Sequence, residues 1–471
     1  MSKTSLQAKN SGTFTIPDKD VDFDLQRVRH FALTSRAIVL LLQIVSNNLI
    51  PDHEPDVFNP PSTANSTIGD DFVERLFGGF RRWDAIYFLF IAEHGYPYQN
   101  CLAFFPLYPL LVRISASVVS VLTFGVINLR SVLLISGFVL NNVCFVLAVE
   151  SLYNWCRIVD KGRLRAWAFN AAVLFCFNPA SIFFSSCYSE SLFAYLTFTG
   201  LLHLETALTK AQGILGKLKS VIYFAFSGSV RSNGVINLGF IGYHQLREMY
   251  NGPRNSRFLL RKIVESLIFA VVGLLPFLLF QLFAFRLYCY AFDQDLPDAI
   301  AEYGTTREYN FLHRNRSVSE WCTRTLPLSY SYIQEQHWNV GFFRYYEWKQ
   351  IPNFVLAAPI LALSVWILKD LWRTRKVQAV FPYFVHLEFL IVVNLFFVHI
   401  QVSTRMLCSA TPLMYCYLGR VFLPLKSQGL MDLYDEVKFR ASSPVQKAVV
   451  IYFVSYFIFG IAVHSNFLPW T

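Results

Sequence analysis

Apolar stretches of about twenty residues recur along the chain, separated by short loops rich in Lys and Arg. A helix of ~20 apolar residues spans the hydrocarbon core of a bilayer. Only 15% of the 471 residues are charged, whereas soluble domains carry about 25%. The sequence therefore predicts an all-α polytopic membrane protein, with one multi-span domain over residues 31–471 and about 9 to 11 transmembrane helices. The predicted spans are residues 31–50, 104–124, 131–153, 166–182, 188–206, 220–245, 263–288, 351–368, 379–398, 405–423 and 448–464.

The net charge of +10 comes from basic residues that lie beside apolar runs. Membrane orientation explains this placement, because loops rich in Lys and Arg stay in the cytosol, and no basic face typical of a nucleic-acid-binding protein stands out. The rule predicts a cytosolic tail, residues 1–30, and two large luminal loops, residues 51–103 and 289–345. Basic residues between 157 and 165 conflict with simple alternation. Either one segment between 104 and 206 is re-entrant or the charge rule fails there.

Two features of these loops agree with a luminal location. Each loop carries an Asn-X-Ser/Thr sequon, at Asn65 and at Asn315, which would be glycosylated in the lumen. Cys289 and Cys322 fall in the second loop, where an oxidising compartment would allow them to pair. The nine cysteines contain no CxxC pair and no Cys/His cluster, so no structural metal site is predicted.

The first luminal loop ends in a predicted helix, residues 83–94, with the apolar spacing of a helix that lies on the membrane surface. Asp84 falls in its first turn and Glu93 lies about 180° around the helix. The two carboxylates therefore do not face each other, which disfavours the paired acid and base of a glycoside hydrolase. Local pattern favours Asp84 as the helix N-cap. The alternative is a single general base at the membrane surface.

Two other segments place charged residues inside apolar runs. Glu190 follows a Ser-rich turn, where Ser189 would cap a helix, but a carboxylate at membrane depth is also a candidate functional residue. Arg231 interrupts the span predicted at 220–245. An arginine at such a depth needs a carboxylate partner, such as Glu190, or an anionic ligand, such as a lipid phosphate. We favour the ligand.

A third polar segment joins two spans on the side predicted to be luminal. Arg405 is either a residue that reaches the interface or a second phosphate contact. His399 and Gln401 are candidates for binding sugar hydroxyl groups, although an interfacial location is the more common role of a lone histidine.

Together these segments resemble one family, the PIG-V family of second mannosyltransferases of glycosylphosphatidylinositol (GPI) assembly. One residue departs from the family's pattern: Gln99 stands where a Glu is expected, so a carboxylate there is dispensable in an active enzyme. The resemblance rests on four segments that keep the family's order, Trp83–Pro109, Phe177–Phe193, Val230–Gly234 and His399–Pro412.

The resemblance implies a GT-C glycosyltransferase of the endoplasmic reticulum membrane with its active site at the luminal face. Such an enzyme takes mannose from dolichyl phosphate mannose and adds it to the first mannose of a GPI precursor. The donor is β-linked and the product α-1,6-linked, so the anomeric carbon inverts. No metal and no cofactor are expected, because the leaving group is a phosphomonoester. The implied roles are Asp84 as base, Trp83 beside it, Arg231 and Arg405 at the phosphate, and Asn233 and Gln401 as polar support.

Other functions are compatible with part of this pattern. Another transferase that uses dolichyl phosphate mannose, acting on an N-glycan precursor or a different GPI mannose, would share the donor site. A lipid or solute transporter would also bury Arg and Glu, but it would show internal repeats, and none is apparent. A non-catalytic membrane subunit would not need Asp84. The predicted partners are the two lipid-linked substrates, membrane lipids and, as an alternative to a single-chain enzyme, a small membrane partner subunit.

Overall fold

The computed structural model describes residues 18–54, 56–62, 64–123, 126–160, 165–290, 296–312, 318–422, 425–441 and 443–470. Most of the predicted tail and the sequon at Asn315 lie outside these ranges. The described residues form α-helices, short 3-10 turns and loops, which confirms the all-α class. The helices are α1 (Asp18–Leu49), α2 (Ile68–Phe77), α3 (Asp84–His94), α4 (Leu107–Thr123), α5 (Leu129–Val159), α6 (Arg165–Cys176), α7 (Glu190–Thr209), α8 (Gly213–Val230), α9 (Leu238–Asn251), α10 (Ser256–Cys289), α11 (Asp298–Thr306), α12 (Ser329–Trp338), α13 (Ile351–Arg373), α14 (Val377–Phe396), α15 (Ser403–Ala410), α16 (Pro412–Val421), α17 (Leu430–Arg440) and α18 (Pro444–Ser465).

Six of the described helices are long and apolar enough to cross a membrane: α1, α5, α10, α13, α14 and α18. The other predicted spans correspond to shorter helices, to α7 and α8, which carry polar residues, or to interrupted helices. The span predicted at 405–423 breaks between α15 and α16, where Pro412 begins the second helix. These helices confirm a multi-pass membrane protein.

The break between α6 and α7 leaves irregular backbone inside the protein, where its polar groups need partners. The side chain of Asn178 accepts a hydrogen bond from the amide of Ala180 at 2.9 Å. Arg36 of α1 is buried, and it donates to the carbonyls of Ser181 and Cys176 and to nearby Ser hydroxyls. These bonds fix the segment that leads into Glu190.

The second predicted loop folds onto the first. A disulfide joins Cys289 to Cys322, which confirms that the two cysteines pair. Tyr98 forms an isolated antiparallel bridge with Phe311. Gln99 is buried beside them and its side chain donates a hydrogen bond to Ser319. At this position Gln therefore joins the two loops.

Helix α3 lies where the two loops meet the helix bundle. Seven of its eleven residues are buried. Ala85 and Phe88 pack into the main core, whereas Ile86 and Phe90 pack into a second core shared with the residues of the second loop. The helix predicted to lie on the membrane surface is thus largely covered by protein, and its first residue faces the interior of the molecule.

Candidate active site

A cavity of about 650 Å³ opens beside the first turn of α3, a volume typical of sites that bind small molecules. Part of its wall is apolar and comes from α14, with Phe389, Leu390 and Val393 among the side chains. Another part is polar. Six residues proposed from the sequence line it: Asp84, Arg231, Asn233, His399, Gln401 and Arg405.

Four charged side chains form a continuous cluster at the polar part of this cavity. One guanidinium nitrogen of Arg405 lies 2.7 Å from a carboxylate oxygen of Asp84 and 3.8 Å from an oxygen of Glu190. Arg231 donates a hydrogen bond to the same oxygen of Glu190. The Glu190 side chain is fully buried, whereas 29% of the Asp84 side chain is exposed. Glu190 therefore holds the two guanidinium groups together, and Asp84 is the carboxylate that a ligand in the cavity can reach.

Asp84 does not cap its helix. It is the first residue of α3, and the N-cap position belongs to Trp83, which makes no side-chain capping bond. The interpretation of Asp84 as an N-cap is therefore wrong, because its carboxylate pairs with Arg405 instead. A position in the first turn of a helix is favourable for a negative charge.

The backbone at Trp83 is strained, with φ at 56° and ψ at −126°, a region that residues other than Gly rarely adopt. Tyr188 fixes the chain on both sides of it. Its hydroxyl donates to the carbonyl of Arg82 and accepts from the amide of Asp84, each at 3.2 Å. Such strain costs about 1–3 kcal/mol and persists only where neighbouring contacts enforce it. Here these contacts hold the first turn of α3 beside Arg405, whose guanidinium carbon lies 5.5 Å from the centre of the Tyr188 ring.

Glu190 begins α7, as the Ser-rich turn suggested, but Ser189 makes no capping hydrogen bond. The capping role proposed for Ser189 is therefore wrong. Its hydroxyl accepts from Arg231 at 3.4 Å instead. The second carboxylate oxygen of Glu190 is buried without a hydrogen-bond partner among the described residues. This carboxylate therefore contacts the two arginines through its other oxygen.

Arg231 follows the last residue of α8 and opens a 3-10 turn over Ser232–Asn237, which interrupts the span predicted there. The carboxylate alternative is confirmed, since Arg231 pairs with Glu190. Arg231 also lines the cavity, so the anionic ligand stays a prediction. The turn folds back tightly on α8 at Gly234. A Cβ at this position would lie 2.3 Å from the carbonyl carbon and oxygen of Ser227, which only glycine avoids.

Gly234→Ala is therefore expected to displace Arg231. The clash is with backbone, which cannot give way, so we expect a stability loss of about 1–3 kcal/mol together with at least tenfold lower activity. Thermal unfolding of the purified protein and an assay of the transfer activity that the sequence resemblance implies would measure the two effects. Gly239→Ala is the matched control, because a Cβ at Gly239 meets nothing within 4 Å. Equal behaviour of the two variants would contradict the role given to the turn.

His399 and Gln401 lie in the connection between α14 and α15. The His399 ring stacks on Tyr345 with centroids 4.5 Å apart, and the amide oxygen of Gln401 accepts from the Tyr345 hydroxyl at 3.1 Å. Burial lowers the pKa of His399, so its imidazole is neutral at pH 7. Its N–H bonds to the backbone of Trp338, which leaves the other ring nitrogen as an acceptor. Both residues are thus placed to hydrogen-bond hydroxyl groups in the cavity.

The structure assigns the second loop a role that no motif in residues 289–345 indicated. Its helix α12 lines the cavity with Tyr330, Gln334 and Trp338. The Tyr330 hydroxyl hydrogen-bonds that of Ser232, 98 positions away, at 2.6 Å. Only a tertiary contact reveals this wall. Tyr188 was also not predicted from the sequence, because its role is to hydrogen-bond the backbone of Arg82 and Asp84.

Two proposed residues do not line the large cavity. Glu190 lies beneath it, in contact with both arginines. Trp83 lines a smaller cavity of about 100 Å³, which is also lined by Asp84, Gln401 and Arg405. The structure thus brings all eight proposed residues into one region, although they come from four separate segments.

The sequence matches the mannosyltransferase (PIG-V) family over residues 25–378 and 369–471. It is 36% identical to a Cricetulus griseus protein named GPI alpha-1,6-mannosyltransferase 2, over 96% of this chain and 99% of that one. The Homo sapiens protein of the same name is 35% identical, over 95% of this chain and 98% of the relative. The GPI mannosyltransferase 2 of Drosophila melanogaster is 35% identical, over 95% and 100%.

Among solved structures, the chain is similar to the oligosaccharyltransferase of Archaeoglobus fulgidus. With one structure of it, tethered to an acceptor peptide, the TM-score is 0.45 at 12% identity, covering 94% of this chain and 56% of the other. With another, a complex with Zn and sulfate, the TM-score is 0.42 at 13% identity, covering 93% of this chain and 53% of the other. The chain thus spans about half the length of these archaeal proteins.

Proposed function

Since the chain belongs to the PIG-V family of mannosyltransferases, we propose that it transfers mannose from dolichyl phosphate mannose to the first mannose of a GPI precursor. The bond formed is α-1,6, and the anomeric carbon of the transferred mannose inverts. The names of the full-length relatives support the product. The observation that carries the mechanism is the cluster of Asp84, Arg405, Glu190 and Arg231 at the edge of a cavity with an apolar wall.

The cavity suits a lipid-linked sugar phosphate. Arg231 and Arg405 supply two guanidinium groups for one phosphate, and planar guanidinium is the side chain best suited to bind it. The apolar wall from α14 suits the first part of a polyprenyl chain, with Phe389 and Val393 facing the same cavity as the arginines. One site therefore matches both the phosphate and the apolar chain of a lipid-linked donor.

The chemical step is an in-line displacement at the anomeric carbon. Asp84 takes the proton of the acceptor 6-hydroxyl while that oxygen bonds to the anomeric carbon. The bond from this carbon to the phosphate oxygen breaks with its electron pair, and dolichyl phosphate leaves. A positioned general base contributes about 10²–10⁴ to the rate.

The remaining residues stabilise charge and orient the sugars. As the phosphate gains negative charge in the transition state, Arg231 and Arg405 stabilise it, because Glu190 has already oriented both groups. Asn233 and His399 bind hydroxyl groups of the transferred mannose, and Gln401, which lines both cavities, binds a sugar hydroxyl beside Asp84. The proposal includes no metal, since the two arginines supply the positive charge that a departing phosphomonoester needs.

A rescue assay tests the function. The chain is expressed in cells that lack the second GPI mannosyltransferase, and surface GPI-anchored proteins and the one-mannose precursor are measured. We expect surface display to return and the precursor to disappear. Digestion of the two-mannose product with an α-1,6-specific mannosidase checks the linkage. A chain that is present in the right membrane but leaves the precursor in place would contradict the assigned acceptor.

We also propose that the protein resides in the endoplasmic reticulum membrane with this site on the luminal face. The disulfide between Cys289 and Cys322 supports this side, since disulfides persist in oxidising compartments. The disulfide lies in the same predicted luminal loop, residues 289–345, as helix α12, which lines the cavity. The site and the disulfide therefore share one side of the membrane.

Asn65 gives a direct test of this orientation. Its sequon lies just before α2, and the residue is exposed, so it is accessible to luminal glycosylation. We expect a mass decrease on treatment with an N-glycosidase, and a smaller decrease for Asn65→Gln at unchanged activity. The same mass shift in both proteins, or none in either, would count against a luminal position of residue 65.

A further inference from the structure

Asp84 and Arg405 border two cavities. The larger one, of about 650 Å³, is also lined by Arg231 and the apolar side chains of α14. The smaller one, of about 100 Å³, is also lined by Trp83 and Trp470. Asp84 and Arg405 line both cavities, whereas Arg231 lines only the larger. A base at Asp84 therefore has access to two compartments.

The smaller cavity has the chemistry of a sugar subsite. Two indole rings border it, and flat aromatic faces pack against the apolar face of a hexose ring. The indole N–H of Trp83 is buried and has no hydrogen-bond partner among the described residues, which is an unusual state for a buried donor. Gln401 also lines this cavity, with its amide oxygen held by Tyr345. Its amide N–H₂ makes no hydrogen bond to the described residues and remains for a ligand.

The geometry of inversion decides which sugar this is. In an inverting transfer the nucleophile and its base stand on the face of the sugar opposite the leaving group. The leaving phosphate belongs with Arg231 in the larger cavity, so the nucleophile needs a separate space that Asp84 also borders. The smaller cavity is such a space, because Asp84 lines it and Arg231 does not. A cavity of about 100 Å³ has no room for a lipid chain and headgroup, whereas the larger cavity has room.

We propose that the smaller cavity is the acceptor subsite, where the terminal neutral hexose of the acceptor lies between Trp83 and Trp470 and presents its primary hydroxyl to Asp84. This assignment rests on the proposed function. It gives the segment that follows α18 a part in acceptor recognition, because Trp470 lies on that segment.

The position of Trp470 depends on Gly460 of α18. A Cβ at Gly460 would lie 2.5 Å from the Trp470 ring, so Gly460→Ala moves the ring without removing it. Trp83→Phe keeps an aromatic ring but removes the unpartnered N–H together with the five-membered ring that carries it. A third variant, Trp470→Ala, removes the Trp470 ring altogether. The two smaller changes remain informative if Trp470→Ala does not fold.

The test measures KM for each substrate with the purified full-length enzyme, dolichyl phosphate mannose and a short-chain mannosyl-glucosaminyl-phosphatidylinositol acceptor. For Trp470→Ala we expect the acceptor KM to rise about tenfold and the donor KM to stay unchanged. Gly460→Ala should act in the same direction with a smaller effect. Trp83→Phe should raise the acceptor KM about three- to tenfold. Trp372→Ala is the control, because this exposed residue borders neither cavity.

The outcomes separate the inference from the proposed function. An active wild type whose variants keep the acceptor KM, or raise only the donor KM, overturns the acceptor subsite and leaves the mannosyltransferase activity standing. A folded wild type that transfers no mannose to this acceptor overturns both. A selective rise in the acceptor KM supports both.

Discussion

Asp84→Asn is expected to abolish rescue and to lower mannose transfer by about 10²–10⁴-fold, the usual contribution of a general base. Asn keeps the size of the side chain but cannot accept the proton of the acceptor hydroxyl. The side chain is 29% exposed and faces the cavity, so the fold should survive the change. The measurement is initial rate at equal protein level, together with surface display of GPI-anchored proteins.

Asp56→Asn is the matched control for this variant. Asp56 lies in the same predicted loop and also pairs with an arginine, Arg307, but it is exposed and does not line the cavity. It should rescue like wild type. If Asp84→Asn also rescued fully, the base would have to be a different residue, and the ion pair with Arg405 would be structural.

Arg405→Lys is expected to lower the maximal rate about 10²–10³-fold, comparable to the loss of one donor to a developing negative charge. Lys keeps the charge but has a single compact ammonium group. It cannot contact Asp84 and Glu190 as the guanidinium does and also reach a phosphate. Because the loss concerns the transition state, it should appear in kcat more than in the donor KM.

Arg420→Lys controls for the chemistry of the substitution. Arg420 is a partly buried arginine of α16 that pairs with Asp160, away from both cavities. It should keep activity. The double variant of Asp84→Asn and Arg405→Lys should lose much less than the product of the two single losses, since both residues act on one step. Fully multiplicative losses would mean that the two side chains act independently.

Much of the candidate site could be predicted from the sequence because charge is scarce in membrane segments. Glu190 and Arg231 stood out as ionisable residues inside apolar runs, which are costly unless they have a partner or a function. The structure places them in contact with each other and beside the cavity. The prediction for Asp84 from local pattern alone failed, because a residue at the start of a helix looks the same whether its carboxylate caps the helix or pairs across the fold.

The wall formed by α12 shows the limit of such reasoning. Tyr330 of this helix hydrogen-bonds Ser232, and the bridge between Tyr98 and Phe311 joins the two loops. Neither pair leaves a local pattern, since each joins segments far apart in the chain. The strained backbone at Trp83 is similar, because Tyr188 enforces it from over 100 positions away.

The sequence by itself determined the helical, multi-pass class and the residue types available for chemistry. Only the tertiary structure decided which helix faces meet. In a membrane the faces turned to lipid are as apolar as those packed in protein, so hydrophobic pattern does not distinguish them. Helix α10 is long, apolar and largely exposed, whereas α7 begins with a carboxylate and is mostly buried. The pairing of Asp84 with Arg405, and the two cavities that both residues line, follow from that packing.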